Sequence, residues 1–159
     1  MKKYLRHALI ALLLMISMLA GCSAPIDSYI DLEDSNQFEL QIEENGSYTS
    51  KEEVAAYLYL YGHLPENFIT KKEAKKLGWV SQEGNLGEVA PGKSIGGDYF
   101  GNYEGLLPEE DGRDYYECDI DSDGSYRGAK RIVYSNDGLI YYTEDHYNSF
   151  ELLYGEENL

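Results

Sequence analysis

The chain has 159 residues, enough for one domain, and its formal charge of −16 sets 29 acidic side chains against 13 basic ones. That balance argues against a protein that gathers polyanions by bulk attraction, because an acidic body repels them at long range. Two cysteines allow one disulfide at most.

Residues 1–21 begin with Lys2, Lys3 and Arg6, and residues 8–20 are apolar except for Ser17. Such a run is short for a bilayer span and reads as a signal peptide. It ends Leu19-Ala20-Gly21-Cys22, which resembles the bacterial lipoprotein processing site, with small residues for the peptidase and a thiol to carry the lipid. The plainer alternative is an ordinary secretory signal with an incidental cysteine. Two or more acyl chains suffice for stable anchoring, so the expected location is extracellular, held to the membrane through Cys22 or released after shedding. A lipidated Cys22 leaves Cys118 alone, and as a strand neighbour of Glu117 it should face the other side of the sheet as a small core residue. Losing the leader leaves ten basic against 29 acidic residues, a net charge of −19. The remaining cations are clustered, four at Lys71, Lys72, Lys75 and Lys76 and three at Arg127, Lys130 and Arg131.

Residues 22–48 carry seven acids and no Lys or Arg, and they read as a disordered, self-repelling tether. The domain is expected over 49–155. Ser50-Lys-Glu-Glu53 has the spacing of a capping box and opens a helix with Val54, Ala55, Leu58 and Tyr61 on one face, stopping near Gly62. Thr70-Lys-Lys-Glu73 is a second box, opening a short helix closed by Gly78. Residues 85–90 suggest one more short helix. A first strand is expected at Ser94–Phe100, where Gly96-Gly97 signals a bend or a close backbone approach.

Residues 113–147 hold three runs rich in Tyr, Ile and Val, broken by Asp121-Ser-Asp-Gly124 and Ser135-Asn-Asp-Gly138. The pattern predicts a three-stranded antiparallel meander, with a last strand near 150–153. Helices segregated before an antiparallel sheet indicate an α+β fold. Along the meander lie Glu117, Arg127, Arg131 and His146. A carboxylate and an imidazole can act as base and acid in one proton-transfer reaction, and paired guanidiniums suit a phosphate between them. Cleavage of RNA by its own 2′-hydroxyl needs such a set and no metal. Asp119-Ile-Asp121-Ser-Asp123-Gly124 copies half of a calcium loop, but Lys130 stands where its bidentate glutamate belongs.

The stretch GWVSQEGNLGEVAPGKSIGGDYFGN, with DHY at 145–147, resembles the barnase-like microbial guanyl-specific ribonucleases, and the similarity runs from about residue 50 to 150. It implies N-terminal helices packed on a five-stranded antiparallel sheet, with the active site on the sheet's other face. It further implies Glu117 as general base, His146 as general acid, and Lys71, Arg127 and Arg131 as phosphate ligands. Asp98 and Asp119 would hold those cations in place, and Arg113 and Asp137 would form a structural ion pair. The product would be a 2′,3′-cyclic phosphate, hydrolysed later, with no cofactor. Guanine would be bound by the loop Phe100-Gly-Asn-Tyr-Glu104, through backbone N–H groups and Glu104, with Asn102 retained and Phe100 and Tyr147 stacking on the base. Tyr103 replaces an arginine of the family. The backbone donor survives the change, but a charge for phosphate and for a barstar-like inhibitor protein is lost. The expected partner is single-stranded RNA, and the expected state a monomer. Two alternatives stay open, a non-catalytic surface lipoprotein that keeps the fold for binding and a secreted ribonuclease toxin.

Overall fold

The computed structural model describes residues 40–156. The expected leader, the Cys22 processing site and the tether as far as residue 39 lie outside them. Among the described residues no helix is long and apolar enough to cross a membrane.

Helix α1, Lys51–Tyr61, starts where Ser50 leaves its extended conformation and its hydroxyl oxygen accepts the Glu53 N–H. The box is made only in part, because the Glu53 carboxylate accepts from the Ser50 hydroxyl at 2.6 Å instead of reaching back to the backbone. Gly62 closes the helix at φ 72°, a conformation a Cβ would oppose, and donates its N–H to the Leu58 carbonyl. Helix α2, Lys71–Lys76, has the complete box, with Thr70 and Glu73 each satisfying the other's backbone N–H. A 3₁₀ turn, Ser81–Glu83, and a short helix α3, Leu86–Val89, follow.

The strands are β1 Phe68–Ile69, β2 Ser94–Phe100, β3 Tyr115–Asp119, β4 Arg131–Ser135, β5 Ile140–Thr143 and β6 Glu151–Tyr154. They lie in chain order in one sheet, antiparallel from β2 to β6. The expected count of five is corrected to six. Two residues, Phe68 and Ile69, pair parallel with Ser94 and Ile95, and a strand that short carries no periodicity to read. The two glycines of β2 do separate things. Gly97, at φ 88°, sits in a register shift between Gly96 and Asp98. A Cβ on Gly96 would lie 2.6 Å from Cys118 Cβ and 2.7 Å from a Phe68 ring carbon, so β2 approaches its neighbours too closely for any side chain there.

Alternation gives the sheet two different faces. Cys118, Ile132 and Ile140 point one way and join Val54, Ala55, Leu58 and Ile120 in a buried cluster that seats α1. Each aliphatic side chain so buried contributes roughly 1.5–3 kcal/mol. Burial pushes the Cys118 thiol far up, so it is a core residue and not a thiolate. Facing the other way, Tyr115, Val133 and Tyr141 pack with Leu107 and Leu139. Glu117, Asp119, Arg131 and Thr143 lie in the same alternation, and this is the face that carries the candidate chemistry. A third cluster, Ala74, Trp79, Leu86, Ala90 and Ile95, ties α2 and α3 to the start of β2.

Two further expectations change. The tight turn foreseen at residues 121–124 is instead a longer irregular loop over 120–130, closed by Ile120 N–H on the Lys130 carbonyl. The tether foreseen through residue 48 ends sooner. The Tyr57 and Tyr61 hydroxyls donate to the carbonyls of Glu44 and Ile42, and the Asn67 amide brackets the Tyr48 backbone from both sides. Local composition hides this, since the groups that fix 42–48 sit up to 19 residues away in sequence.

Candidate active site

The site is built on two cross-strand rows. Asp98, Glu117, Val133 and Tyr141 stand opposite one another on β2 to β5, and Asp119, Arg131 and Thr143 form the next row. Glu117 is only 5% exposed, and both of its oxygens are taken. Oε1 accepts from Lys71 Nζ and Oε2 from the Tyr147 hydroxyl, while Arg127 Nη2 lies 3.8 Å from Oε1. Burial alone would raise this carboxyl's pKa. Lys71, Tyr147 and Arg127 together outweigh it and hold the group below the usual glutamate value. Tyr147 moves oppositely. Burial first, and then the facing carboxylate, push its phenol well above its usual range, so it remains a donor.

Lys71 reaches Glu117 because the second capping box sets the start of α2, where the Lys71 backbone N–H donates to Asp98 Oδ2 at 2.8 Å. Asp119 holds the two arginines. Arg127 grips it with Nε at 2.8 Å and Nη2 at 2.6 Å, and Arg131 Nε lies 3.0 Å from its Oδ1. Arg131 is 2% exposed, and its Nη1 also donates to the carbonyls of Gly128 and Lys130. A guanidinium that deep in the fold is tolerable only with such partners. Loop 120–130, which carries Arg127, docks on α3 through Gly87 N–H to the Gly124 carbonyl at 2.7 Å. At φ 80°, with a Cβ that would lie 2.9 Å from Gly87 Cα, position 124 requires glycine.

His146 and Tyr147 both have positive φ, at 57° and 73°. For non-glycine residues this is uncommon, and the surrounding loop imposes it. Asp145 accepts from the Thr143 hydroxyl, from the N–H groups of Asn148 and Ser149, and from the Ser149 hydroxyl. Thr143 Oγ1 in turn accepts the Tyr147 N–H at 3.0 Å. The result sets the exposed His146 ring beside Tyr147, centroids 4.6 Å apart, and the imidazole makes no hydrogen bond among the described residues.

Of the residues expected in the site, Glu117 directly contacts Lys71, Arg127 and Tyr147, Arg131 joins them through Asp119, and His146 joins them through Tyr147. The expected base-binding loop is arranged differently from a simple stacking slot. The Phe100 and Tyr147 rings pack on each other at 5.2 Å, and the Tyr147 hydroxyl is engaged by Glu117. The Asn102 side chain spans its own loop, donating to the Leu107 carbonyl and accepting the Leu107 N–H, with its backbone at φ 45°. Tyr103 is 91% exposed, with its ring over Gly101, and Glu104 is exposed beside it. Arg113 pairs with Asp137, Nη2 to Oδ2 at 2.7 Å, as the resemblance implies. The three acids of the half calcium loop go to separate partners, Asp119 to the arginines, Asp121 to Lys130 and Asp123 to Ser125. Sequence reasoning missed Asp145 and Thr143. The signal for Asp145 was present, since an Asp followed by Asn148-Ser149 is ready to fold back on its own backbone.

A buried anionic carboxylate beside a lysine, an arginine and a phenol, with a second arginine on the adjoining aspartate and an exposed imidazole alongside, is suited to moving protons at a phosphodiester. The family model for ribonuclease matches residues 51–154, and the chain belongs to that family, the barnase-like microbial ribonucleases. Among its relatives, a ribonuclease from Heyndrickxia coagulans is 58% identical over 97 residues, which is 61% of this chain and 89% of that one. A ribonuclease from Bacillus intermedius has the same identity over 97 residues, but there the match spans 60% of the relative's length. The guanyl-specific ribonuclease St of Saccharopolyspora erythraea is 44% identical over 57 residues, 35% of this chain and 56% of that one.

Proposed function

We propose that this ribonuclease is an endonuclease that cleaves single-stranded RNA 3′ of guanosine by transphosphorylation. The observation that carries the reading is Glu117, kept anionic by Lys71, Tyr147 and Arg127 within a ring of phosphate-binding cations. Glu117 takes the proton of the 2′-hydroxyl, whose oxygen attacks the adjacent phosphorus. Lys71 leaves the carboxylate for the phosphate and, with Arg127 and Arg131, offsets the charge that builds on its equatorial oxygens. Protonated His146 gives its proton to the departing 5′-oxygen. The products are a 2′,3′-cyclic phosphate and a free 5′-hydroxyl. Water then opens the ring with the two roles exchanged, His146 as base and Glu117 as acid.

Guanine preference is supported by the exposed Glu104, which can accept from the base's N1 and N2 protons, and by the guanyl-specific relative. The test is hydrolysis of GpN dinucleotides in the presence of a chelator. Glu117→Gln and His146→Ala should each lose ~10²–10⁴-fold in rate, the usual contribution of a general base or acid. Full activity in both variants, or equal cleavage of ApN, would refute the assignment.

The location is part of the same proposal. With Cys22 acylated, the enzyme acts outside the cell from the membrane surface, as a monomer, and the uncharged Tyr103 weakens any acidic barstar-like inhibitor. Wild-type protein should partition with membranes, and Cys22→Ser should abolish lipid labelling. Finding unmodified Cys22 in protein recovered from the medium would exclude a stable anchor.

A further inference from the structure

We infer that Lys72, Lys75 and Lys76 on α2 form a binding strip for RNA phosphates lying beyond the bond that is cleaved. The inference rests on the ribonuclease reading but concerns different atoms. All three side chains are exposed, and none makes an ion pair or hydrogen bond among the described residues. The other lysine and arginine side chains of the described residues each hold a carboxylate or a backbone carbonyl, as Lys130 holds Asp121 and Lys93 the Glu66 carbonyl. Among the described residues of a chain of net charge −16, lysines and arginines without such a partner are therefore confined to one short helix.

Helix chemistry does not account for them. Lysines in the last turn, here Lys75 and Lys76, complement the helix dipole, but Lys72 stands in the first turn, where a cation opposes it. Spacing makes matters worse for the helix. Lys71 with Lys75, and Lys72 with Lys76, are like-charge pairs at i, i+4, and Lys72 with Lys75 is one at i, i+3. The neighbouring acid, Glu73, is hydrogen-bonded to Thr70, and of the three lysines only Lys76 lies near enough to act on its carboxylate. Ala74 turns the opposite side of the helix into the core, which leaves the lysine side to solvent.

Position supplies the occupant. Lys71, on the same turn, has its amine on Glu117 at the centre of the site, and Lys75 lies one turn further along the same side of α2. A polyanion lying across the site and continuing over α2 meets Lys71 first and the strip next. The substrate is such a polyanion, and a dinucleotide is too short to gain from the strip. The strip thus gives this acidic enzyme a local preference for long strands.

The experiment compares the full chain with its Lys72→Gln/Lys75→Gln/Lys76→Gln variant. Glutamine keeps helix propensity and removes the like-charge pairs, so folding is not at risk. On long single-stranded RNA at low salt, kcat/KM should fall about tenfold, and the slope of its logarithm against log salt should become less negative by about 2, at roughly 0.7 per single-strand phosphate contact. On GpN the two proteins should agree within about twofold, since a dinucleotide feels the site alone. An unchanged slope and rate on long RNA would overturn the strip, as would an equal loss on GpN, or a loss of binding to anionic vesicles with RNA kinetics unchanged. Affinity for a long 2′-deoxy oligonucleotide, which cannot be cleaved, separates this inference from the catalytic one. A wild type inactive on GpN whose oligonucleotide affinity still falls in the variant would keep the strip and refute the mechanism. Equal oligonucleotide affinities would refute the strip alone.

Discussion

Glu117 is the residue at which opposing effects meet. Burial favours its neutral form, and Lys71, Tyr147 and Arg127 favour the anion and prevail. A base must be ionised to act, so the acidic limb of kcat/KM should fall below the ordinary carboxylate range. Tyr147→Phe removes one of the bonds that lower the pKa, and the limb should move to higher pH while the alkaline limb stays in place. A pH series on GpN for both proteins reads this directly, and an unmoved limb would assign it to another group. The same depressed pKa has a sign for stability. Its contribution is complete above the unfolded-state value and is lost as pH falls through the folded-state one. The carboxylate, the cations and their aspartates were legible from residue type and placement in the motif. The engagement of the Tyr147 hydroxyl by Glu117 was not. It depends on how residues 143–149 fold back, which no local pattern states.

At the scale of elements, that segment behaves as a small rigid part. Ser149 first, with its backbone N–H, Thr143 and Asn148, holds the Asp145 carboxyl down to about 2, so the loop keeps its internal bonds until the pH approaches that value. Asp145→Ala should release the two positive-φ residues it restrains. His146 would then be misplaced, and kcat/KM should fall by up to ~10²-fold, the scale of a 1 Å displacement at a reacting group. Kinetics on GpN checks this, and the Tyr147→Phe variant is the control for effects passed through Glu117 instead. Which elements the sequence disclosed follows from where their determinants lie. Both helix starts, the stop at Gly62 and strand β2 were readable because capping hydroxyls and alternation act within a few residues. Strand β1 and loop 120–130 were not, because Asn67, Gly87 and Gly124 fix them by contacts across the fold.

For the molecule as a whole, charge and site pull in opposite directions. The body is strongly acidic, and Tyr103 adds no positive charge beside the site. Salt with a screening length of ~10 Å at 0.1 M weakens the long-range repulsion along with the local attraction, so the fall of the wild-type rate on long RNA with salt should be less steep than its phosphate contacts alone would give. Tyr103→Arg should raise kcat/KM on long RNA at low salt more than on GpN. A salt series on both substrates tests it, and no response to the substitution on long RNA would remove net charge as the governing factor. The third buried cluster has a consequence of another kind. Its Trp79 is the one tryptophan in the chain, whereas the 16 tyrosines include members on α1 and on strands β2 to β6. Light at the red edge of aromatic absorption therefore excites only the region beneath α2 and α3, where Lys71 is anchored. A loosening there would redden the emission while circular dichroism still reported an intact sheet, so the protein carries separate optical readouts for its lysine helix and its catalytic sheet.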